Sequence, residues 1–513
     1  MATPDLIDYQ ARLEKAGALS DPVDDRTWGD LEMEKVFQRL DHCVTPMGAQ
    51  HLYSMLRDYQ RDEARLAANA KAWRVLQASP GTVAALRAAL EHLNSRQGAA
   101  LGDFLLASPH AAPRGYRWFY LVSVLSLLLP AGIVFSPWFL VVSVCLWIFN
   151  IVLYYQYNPR LGTFSPALAA LGALLGSVPG ILRAIADADL PEVKALSDAA
   201  PVAQAVRREI SLVFLRREGA DDLTRALVDY LNMLCLFEVS ALCRAILAVN
   251  ARRQALLDLF RVVARLDALQ GISIALGQYS LACAPEWRSG RQFLLEDVQH
   301  PLLNNPVRNS VTGEGRSFLL TGTNMAGKTT FIKTVAVNLI LAQTLGLCLA
   351  RRAVLPPARV RTLITREDVA GSGQSYFYFD ALELLRMVRD AASTGRDHWF
   401  VLDEVFRGTN TLERVAAGRA VLRHLARHGI VIASTHDHEL VQPLQHEFDS
   451  YHFSEIIEGH GIRFDYLLRK GACPTRNAIK LLAMAGFPEE VIEEAERLAA
   501  QNTRALSDRD PDA

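Results

Sequence analysis

Residues 322–329 have the types and spacing of a phosphate-binding loop. Gly322, Gly327, Lys328 and Thr329 fit the pattern Gly-x-x-x-x-Gly-Lys-Ser/Thr. In this pattern, consecutive backbone N–H groups curl around phosphate oxygens at the start of a helix, the lysine neutralises their charge, and the hydroxyl binds Mg²⁺. The pattern therefore predicts a site for ATP and its metal ion.

Two acids and a histidine further along the chain supply the other groups that such a site needs. Asp403 and Glu404 follow the apolar run "HWFVL", and His436 follows "GIVIAST". The first carboxylate can hold Mg²⁺, the second can polarise the attacking water, and the histidine can contact the γ-phosphate. Taken singly, the acids could be a solvated strand end and the histidine a capping or core residue. Together with the loop, we assign Asp403 to the metal and Glu404 and His436 to catalysis.

Strands and a helix must hold these side chains at one edge of a sheet. The apolar runs predict three buried strands and one largely buried helix, at residues 317–320, 399–402 and 429–435 and at residues 329–347. We expect the strand that ends at Asp403 to lie next to the strand before the loop. The C-terminal part is thus predicted to be an α/β P-loop NTPase domain.

The composition limits the classes of protein to which the chain can belong. Its 513 residues are enough for two or three domains. The 54 basic and 55 acidic residues nearly cancel, so any contact with DNA must be local. The seven cysteines are scattered without a C-x-x-C pair, which indicates reduced intracellular thiols rather than a zinc site. The N-terminal "MATPDLIDYQARLEKAG" lacks the apolar core of a secretory signal.

One stretch accounts for the apolar excess, because residues 118–159 contain no charged side chain. A helical run of that length can cross a bilayer core of roughly 30 Å twice, and "PAGIVFSPW" interrupts it near the middle. We therefore predict a transmembrane helical hairpin, with residues 118–155 in the membrane. Arg114, Arg117 and Arg160 flank it, which places both ends in the cytoplasm. A buried hairpin in a soluble core is the alternative, but the arms show no polar face.

The motifs that follow the loop resemble those of a known family. "EDVAGSGQSYFYFDALEL", "LDEVFRGTNTLE", "ASTHDHEL" and "GFPEEVIEEAERL" resemble, in content and order, the ATPase domain of MutS mismatch-repair proteins, which implies an ABC-type fold. Val36–Asp58 resembles the start of the MutS core domain, and "LDALQGISIAL" with "HPLL" resembles the passage from its lever helices into the ATPase. The resemblance covers roughly residues 25–100 and 225–500.

The resemblance implies a role for each matching residue of the nucleotide site. Lys328 would bind the β- and γ-phosphates, and Thr329 and Asp403 would hold the Mg²⁺. Glu404 would act on the water and His436 on the γ-phosphate. The remaining nucleotide-binding residues of the loop are Gly322, Asn324, Gly327 and Thr330.

The resemblance also implies a homodimer. Ser375, in "SGQSYF", matches the family serine that reaches across a dimer to the nucleotide of the partner subunit. Hydrolysis would then need two subunits that face each other. Residues 471–513 resemble the helix-turn-helix segment by which the family dimerises; an amphipathic cap on the core is the alternative reading.

Some positions depart from the family pattern. Thr323 and Ala326 stand where the family usually has proline and glycine, and Phe406 stands where it has glycine, which leaves the hydrolysis rate open. No segment before residue 25 is long enough for the mismatch-reading domain. The Phe-x-Glu motifs at Phe453 and Phe487 lie inside and behind the ATPase domain, where we expect structural roles. Mismatch recognition through a Phe-x-Glu wedge is therefore not expected from this chain.

These observations predict a mostly α-helical N-terminal part with a transmembrane hairpin, followed by an ABC-type P-loop NTPase domain. The predicted segments are a core-like start, the hairpin, a helical lever region, the ATPase domain and a dimerisation segment with tail, at residues 1–110, 111–160, 161–290, 291–470 and 471–513. We expect a dimeric, DNA-linked ATPase on the inner or cytoplasmic membrane, with its ATPase domain in the cytoplasm. Mismatched or branched duplex is the expected DNA. A transport-associated ABC ATPase and a slow nucleotide-gated scaffold are the alternatives.

Overall fold

The computed structural model describes residues 6, 9, 11, 13–14, 19–94, 96–106, 113, 116–214, 230–322, 326–364, 376–394, 397–406, 410–458, 461–471, 473, 486–495 and 497–498. The chain divides into two compact units. The first comprises Met1–Ser20, Phe37–Asp58 and Ala67–Ser280, and the second comprises Asp21–Val36, Tyr59–Leu66 and Leu281–Ala513. The segments predicted from the sequence are continuous stretches, whereas each of the two units is built from three separate stretches. The functions assigned to the predicted segments stay predictions.

The described α-helices are numbered in chain order. The first twelve are α1 (Asp25–Asp30), α2 (Met33–Leu40), α3 (Pro46–Arg57), α4 (Glu63–Ala78), α5 (Pro80–Leu90), α6 (Arg96–Leu106), α7 (Tyr116–Leu128), α8 (Trp138–Gly162), α9 (Ser165–Ala184), α10 (Pro191–Phe214), α11 (Phe237–Ala251) and α12 (Arg253–Leu276). The last three are α13 (Lys328–Leu345), α14 (Tyr376–Thr394) and α15 (Thr411–His428). Short 3₁₀ segments lie at Glu91–Leu93, Leu129–Val134, His438–Leu440 and Gln442–Leu444.

A buried carboxylate organises the start of α3 within the first unit. Asp267 of α12 accepts hydrogen bonds from the backbone N–H groups of Val44 and Thr45, at 2.9 and 2.8 Å, and from the side chain of Gln270 at 2.8 Å. Burial raises its pKa, although these bonds act in the opposite direction. A Cβ added at Gly48 would lie 2.2 Å from the Asp267 Oδ2, so only glycine fits there. The contact fixes α3 against α12.

Three described helical stretches are long and apolar enough, by length and composition, to cross a membrane. They are Tyr116–Val134, Trp138–Gly162 and Ser165–Ala184. The first two contain the arms of the predicted hairpin, separated by the predicted break. The third, α9, falls in the predicted lever region and was not recognised in the sequence. The buried share is 17% and 11% in the first two and 44% in α9, whose leucines at 168, 171 and 174 are fully buried.

The arms of the hairpin carry small polar side chains on their buried faces. Ser126 and Asn150 are buried, and the Asn150 side-chain N–H₂ donates to the Ser126 hydroxyl at 2.6 Å. The hydroxyl oxygens of Ser123 and Ser240 lie 3.1 Å apart, which links α7 to α11. The arms thus carry isolated small polar groups on the inner side, and neither of these two described helices has a continuous polar face. Outward-facing residues such as Val134, Phe135 and Trp138 are large, apolar and exposed.

The described residues of the second unit form three sheets. Their strands are β1 (Glu286–Trp287), β2 (Gln292–Val298), β3 (Asn309–Glu314), β4 (Ser317–Thr321), β5 (Arg352–Leu355), β6 (Arg359–Leu363), β7 (His398–Asp403), β8 (Gly429–Ser434), β9 (Phe448–His452), β10 (Glu455–Glu458), β11 (Gly461–Phe464) and β12 (Arg469–Lys470). The largest has the order β12-β9-β4-β8-β7-β6, with β12 antiparallel to β9 and the other five strands parallel. A second has the order β1-β5-β2-β3, and β10 pairs with β11.

The strand order corrects one expectation. The strand that ends at Asp403, β7, does not adjoin β4, because β8 lies between them. The register pairs Leu320 of β4 with Ser434, and Ser434 with Asp403, so the carboxyl ends of the three strands are level. Two strand spacings of about 4.8 Å then separate Asp403 from β4. The start of helix α13 must bridge that gap.

Residues near the start of the chain cover the outer edge of the large sheet. Asp30 of α1 accepts from the Thr362 hydroxyl at 2.8 Å and from the Ile364 N–H at 2.9 Å. Asp24, which caps α1, also pairs with Arg361. These contacts satisfy polar groups along β6, an edge strand that would otherwise be open to pairing with another chain.

Candidate functional site

The glycine-rich loop has a backbone that requires glycine at both ends. β4 is buried along its whole length and leads to Gly322, whose φ of +128° lies in the region that L side chains rarely adopt. A Cβ at Gly322 would lie 2.4 Å from the carbonyl oxygen of Phe453. Gly327 has φ +102° and immediately precedes α13. The chain therefore turns sharply from a buried strand into a buried helix, as a phosphate-binding loop requires.

Lys328 begins α13 and points back into the loop. Its side chain is buried, at 4% exposure, and its Nζ donates to the Gly322 carbonyl oxygen at 2.6 Å. A buried ammonium group needs hydrogen-bond acceptors or a negative charge beside it. The next two residues, Thr329 and Thr330, are exposed at the helix N-terminus. The amine is thus held where an anion can approach it.

The Asp403 carboxylate accepts hydrogen bonds from two hydroxyl groups. The Thr329 hydroxyl donates to Asp403 Oδ2 at 2.7 Å, which bridges α13 and β7. The Ser434 hydroxyl, at the end of β8, donates to Oδ1 of the same carboxylate. Ser434 was not among the predicted site residues; its position at the end of the "GIVIAST" run was the available signal. The structure thus brings together Thr329 and Asp403, the two predicted metal ligands, and adds a hydroxyl that orients the carboxylate.

The two predicted catalytic residues contact each other. His436 Nε2 lies 2.5 Å from Glu404 Oε1, with side-chain exposures of 37% and 10%. Glu404 has φ +50° and its N–H donates to the Ser434 carbonyl oxygen at 3.1 Å. The backbone therefore aims the Glu404 carboxylate across the end of β8 toward the residue that follows that strand.

Phe406 occupies a conformation that explains the glycine usual at this position in the family it resembles. Its φ is +61°, a conformation that residues other than glycine adopt only at a cost in conformational free energy. Its N–H donates to the buried Asp380 Oδ2 of α14 at 3.0 Å. Its ring is buried in a cluster that includes Leu402 and Leu440. Burial of the ring and the Asp380 contact therefore hold a strained backbone next to Glu404.

A cavity of about 580 Å³ adjoins the loop. Its lining combines the loop and helix start with apolar and aromatic side chains, among them Val307, Phe453 and Tyr466. His300 also lines it, and burial, with the charge of Lys333, lowers its pKa to about 4. The Leu302 N–H donates to His300 Nδ1 at 3.2 Å, so the neutral ring carries its proton on Nε2. A pocket of this size with one polar end suits a nucleotide-sized ligand.

Some predicted residues lie outside the part that the structure describes. These are Asn324 and Ser375, most of residues 471–513, and Thr323 among the departures from the family pattern. Their assigned roles stay predictions. Ala326 is described and buried. Of the two Phe-x-Glu phenylalanines, Phe453 is buried beside the loop and Phe487 is exposed.

Comparisons with known proteins agree with this geometry. Residues 318–503 match the family model described as MutS domain V. Proteins named DNA mismatch repair protein MutS from Natronomonas pharaonis and Aquifex pyrophilus are 31% and 30% identical over 262 and 226 residues, which cover 49% and 42% of this chain. DNA mismatch repair protein MutS 2 from Halobacterium salinarum is 29% identical over 253 residues, which cover 46% of this chain. The matches span 30%, 26% and 28% of these relatives, so the chain covers less than a third of their length.

The parallel sheet, the glycine-rich turn and the hydroxyl–carboxylate pair define an α/β domain of ATPase type. Through this domain the chain is similar to MutS mismatch-repair proteins, and residues 318–503 match their domain V. The resemblance predicted from the sequence motifs is thereby confirmed.

Proposed function

We propose that this protein is a membrane-anchored, MutS-like ATPase with an ABC-type P-loop domain that acts as a homodimer. The observation that carries the proposal is the contact of Thr329 with Asp403 at 2.7 Å, beside the buried Lys328. Thr329 lies at the start of α13, which follows β4, whereas Asp403 ends β7, and β8 lies between these two strands. Proximity in the sequence therefore does not account for the contact. Such a contact is what a site for a metal–nucleotide complex requires.

The residues present fit ATP and Mg²⁺. The ion takes oxygen ligands, and a threonine hydroxyl with an aspartate carboxylate supplies them. Bound there, Mg²⁺ would neutralise charge on the phosphate oxygens. Lys328 would supply a buried positive charge to the β- and γ-phosphates, and the N–H groups of the loop from Gly322 to Gly327 would surround them. The apolar part of the cavity leaves room for the rest of the nucleotide.

Glu404 would act on the attacking water and His436 on the γ-phosphate. The contact with His436 takes up an acceptor site on Glu404 Oε1, one of the two oxygens that could orient a water. We infer that His436 turns from Glu404 Oε1 toward the γ-phosphate when ATP binds, which frees the carboxylate to polarise the attacking water. The exposure of the His436 side chain leaves room for that turn.

A second candidate function rests on the same contact. If His436 stays on Glu404, ATP binds but hydrolysis is slow, and the protein works as a nucleotide-gated scaffold. Single-turnover ATP hydrolysis with excess protein separates the two. Release of phosphate much faster than nucleotide exchange supports the ATPase, and release slower than exchange supports the scaffold.

The homodimer would complete each site through Ser375 of the opposite subunit, with residues 471–513 holding the subunits together. A Ser375→Arg chain, inactive alone, should then regain activity when mixed with a Lys328→Ala chain. In the mixed dimer one composite site has both residues intact and the other has neither. A bell-shaped recovery of ATP hydrolysis across the titration supports a shared site, and a straight line between two inactive ends excludes it.

Membrane anchoring would come from the hairpin of α7 and α8. Support comes from its apolar, exposed outer surface and its small polar groups on the inner side. A soluble helix pair has the opposite arrangement, with a polar outer surface and an apolar inner side. Because α9 has a buried leucine face, we assign it to the helical unit. Both ends of the hairpin, and the ATPase domain, would then lie in the cytoplasm, at the inner or cytoplasmic membrane. Carbonate washing should leave the protein in the membrane pellet, and its release would exclude the anchor.

A DNA-linked role follows from the relatives, whose names describe DNA mismatch repair. We propose that the dimer binds mismatched or branched duplex without reading the mismatch through a Phe-x-Glu wedge, because Phe453 is buried and Phe487 lies in the segment assigned to dimerisation. A gel-shift titration of the purified dimer with heteroduplex, branched and matched duplex tests this. Absent binding to all three would exclude the DNA role, and equal binding would exclude the preference for mismatched or branched duplex. Either result leaves the ATPase proposal standing.

A further inference from the structure

Cys283 and Cys348 lie directly opposite each other in an antiparallel bridge within the second unit. The N–H of each donates to the carbonyl oxygen of the other, both at 2.8 Å. Residues that exchange both bonds have Cα atoms about 5.5 Å apart and side chains on one face of the pair. Disulfides join residues whose Cα atoms are roughly 4.4 to 6.8 Å apart. The backbone therefore already holds the two Cα atoms within the range that a disulfide spans.

The two thiols differ in access. Cys283 is partly exposed, whereas Cys348 is fully buried, and its Sγ lies 3.7 Å from the Asn338 carbonyl oxygen. Burial raises the pKa of the Cys348 thiol well above its usual value, and Cys283 beside it adds to the effect. No group of three or more metal-binding side chains occurs among the described residues, so a metal site does not account for the pair. Neither cysteine lines the cavity beside the loop.

We propose that Cys283 and Cys348 form a reversible disulfide when the protein meets a peroxide. The peroxide oxidises the Sγ of the partly exposed Cys283 to a sulfenic acid and releases one water. The Cys348 thiol then attacks that sulfur, loses its proton, and expels the second water as the S–S bond forms. The two thiols give up two electrons and two protons in total, and one hydrogen peroxide becomes two waters.

Because of where Cys283 and Cys348 lie in the chain, their disulfide would affect the ATPase domain. Cys348 lies two residues after Gly346, which ends α13, the helix that begins at Lys328. Cys283 lies seven residues after Leu276, the last residue of α12. The disulfide would tie the far end of the phosphate-loop helix to the segment that follows α12. Oxidation would thus restrict any shift of that helix during nucleotide turnover.

The geometry also predicts that the bond is easily reduced. Cβ atoms of directly opposed residues are about 4.5–5.5 Å apart, wider than the roughly 3.8 Å usual across a disulfide. Closing the bond must therefore pull the two segments together, and strained disulfides have more oxidising potentials. A bond of that kind forms under oxidative stress and is removed by the thiol pool of the cytoplasm.

Mass spectrometry of the full-length protein in detergent tests the proposal without reference to ATP. After hydrogen peroxide treatment of the folded protein, a non-reducing digest should contain one peptide pair that joins residues 283 and 348, lighter by two hydrogen atoms than the separate peptides. Reduced glutathione in excess should restore both thiols. Cys283 recovered as a sulfinic acid with Cys348 still a thiol would overturn the proposal, and so would a cross-link that resists glutathione.

A variant at the accessible position controls for unfolding. Cys283→Ser changes a partly exposed side chain, and its folded state can be checked by circular dichroism before oxidation. In this variant Cys348 should remain a thiol under the same peroxide treatment, because it is buried and has no sulfenic acid to attack. Oxidation of Cys348 at the rate seen in the parent would show that Cys283 is not the first target and would overturn the assigned order.

Discussion

The hydroxyl of Thr329 and the carboxylate of Asp403 lie 2.7 Å apart, although 74 residues separate them in the chain. One starts a helix and the other ends a strand that is not a neighbour of the strand before that helix. The same carboxylate accepts from Ser434 on the intervening strand. A positioned carboxylate thus faces the helix start, held from both sides by hydroxyl groups.

The Ser434 hydroxyl should matter for metal binding although it is not itself a predicted ligand. Ser434→Ala removes the donor to Asp403 Oδ1, so we expect the apparent affinity for Mg²⁺ in ATP binding to fall by roughly 10-fold. Fluorescent-nucleotide binding across a Mg²⁺ titration measures the effect. Ser450→Ala, on β9 and separated from β8 by β4, is the matched control and should leave affinity unchanged. An unchanged Ser434→Ala titration would remove this residue from the site.

Glu404 is expected to act in catalysis and not in nucleotide binding. Glu404→Gln keeps the shape of the side chain but weakens its ability to polarise water, so turnover should fall by roughly 100-fold or more while ATP affinity is retained. Equilibrium ATP binding and steady-state phosphate release, measured on the same preparation, separate the two effects. Turnover equal to that of the parent would show that Glu404 is not the catalytic base.

At Phe406, where the backbone is left-handed, a glycine variant should be more stable than an alanine variant, which is the reverse of the usual order. Phe406→Ala should cost about 3 kcal/mol through loss of the buried ring. Phe406→Gly loses the same ring but relaxes the backbone at φ +61°, so it should be about 1 kcal/mol more stable than the alanine variant. Urea unfolding monitored by circular dichroism gives the difference. At Phe400, buried in β7, alanine should instead be more stable than glycine, since an extended strand disfavours glycine.

The buried His300 should make the second unit sensitive to acid. Its folded pKa of about 4 lies below the ordinary value of 6.5, so between these values the unfolded state binds a proton that the folded state excludes. Stability should therefore fall progressively as pH drops from about 6.5 to about 4, by roughly 3 kcal/mol in total at about 1.4 kcal/mol per pKa unit. His300→Gln should flatten this part of the stability profile. The same change at the exposed His446 should not, and equal profiles for all three proteins would contradict the prediction.

Cys145 offers a probe of the hairpin that needs no substitution. It is exposed on α8, yet in membrane vesicles a water-soluble maleimide should not label it, because the surrounding residues would face lipid. Labelling should appear after solubilisation in sodium dodecyl sulfate. Leu412→Cys, at a position 84% exposed on α15, should be labelled in both conditions. Equal labelling of the two cysteines in intact membranes would contradict a membrane-embedded α8.

The sequence predicted those features of the fold that depend on short segments. The buried strands at β4, β7 and β8 were found to within one residue at each end, because a short run of apolar residues is a local signal. The placement of β8 between β4 and β7 was missed, since strand order depends on pairing between distant segments. The glycines at 322 and 327 could be predicted because their spacing reflects a backbone requirement that few other loops share.

The features that were missed depend on which residues meet in space. Ser434 has no pattern that distinguishes it from any serine at a strand end, and only the register with Asp403 reveals its role. The contact of His436 with Glu404 likewise joins residues predicted to act separately. The inward polar groups of the hairpin, such as Asn150, could not be separated from the outward ones because the arms lack a continuous polar stripe in sequence.

The contacts of Asp30 with Thr362 and Ile364 set an order for events during synthesis on the ribosome. The aspartate emerges early, but the strand that it covers is made more than three hundred residues later, when the apolar hairpin has long left the exit tunnel. At roughly 5–20 residues per second, that delay is on the order of tens of seconds. Asp30 must therefore remain without these partners while the residues of the hairpin are made, and the large sheet can acquire its edge cover only after them.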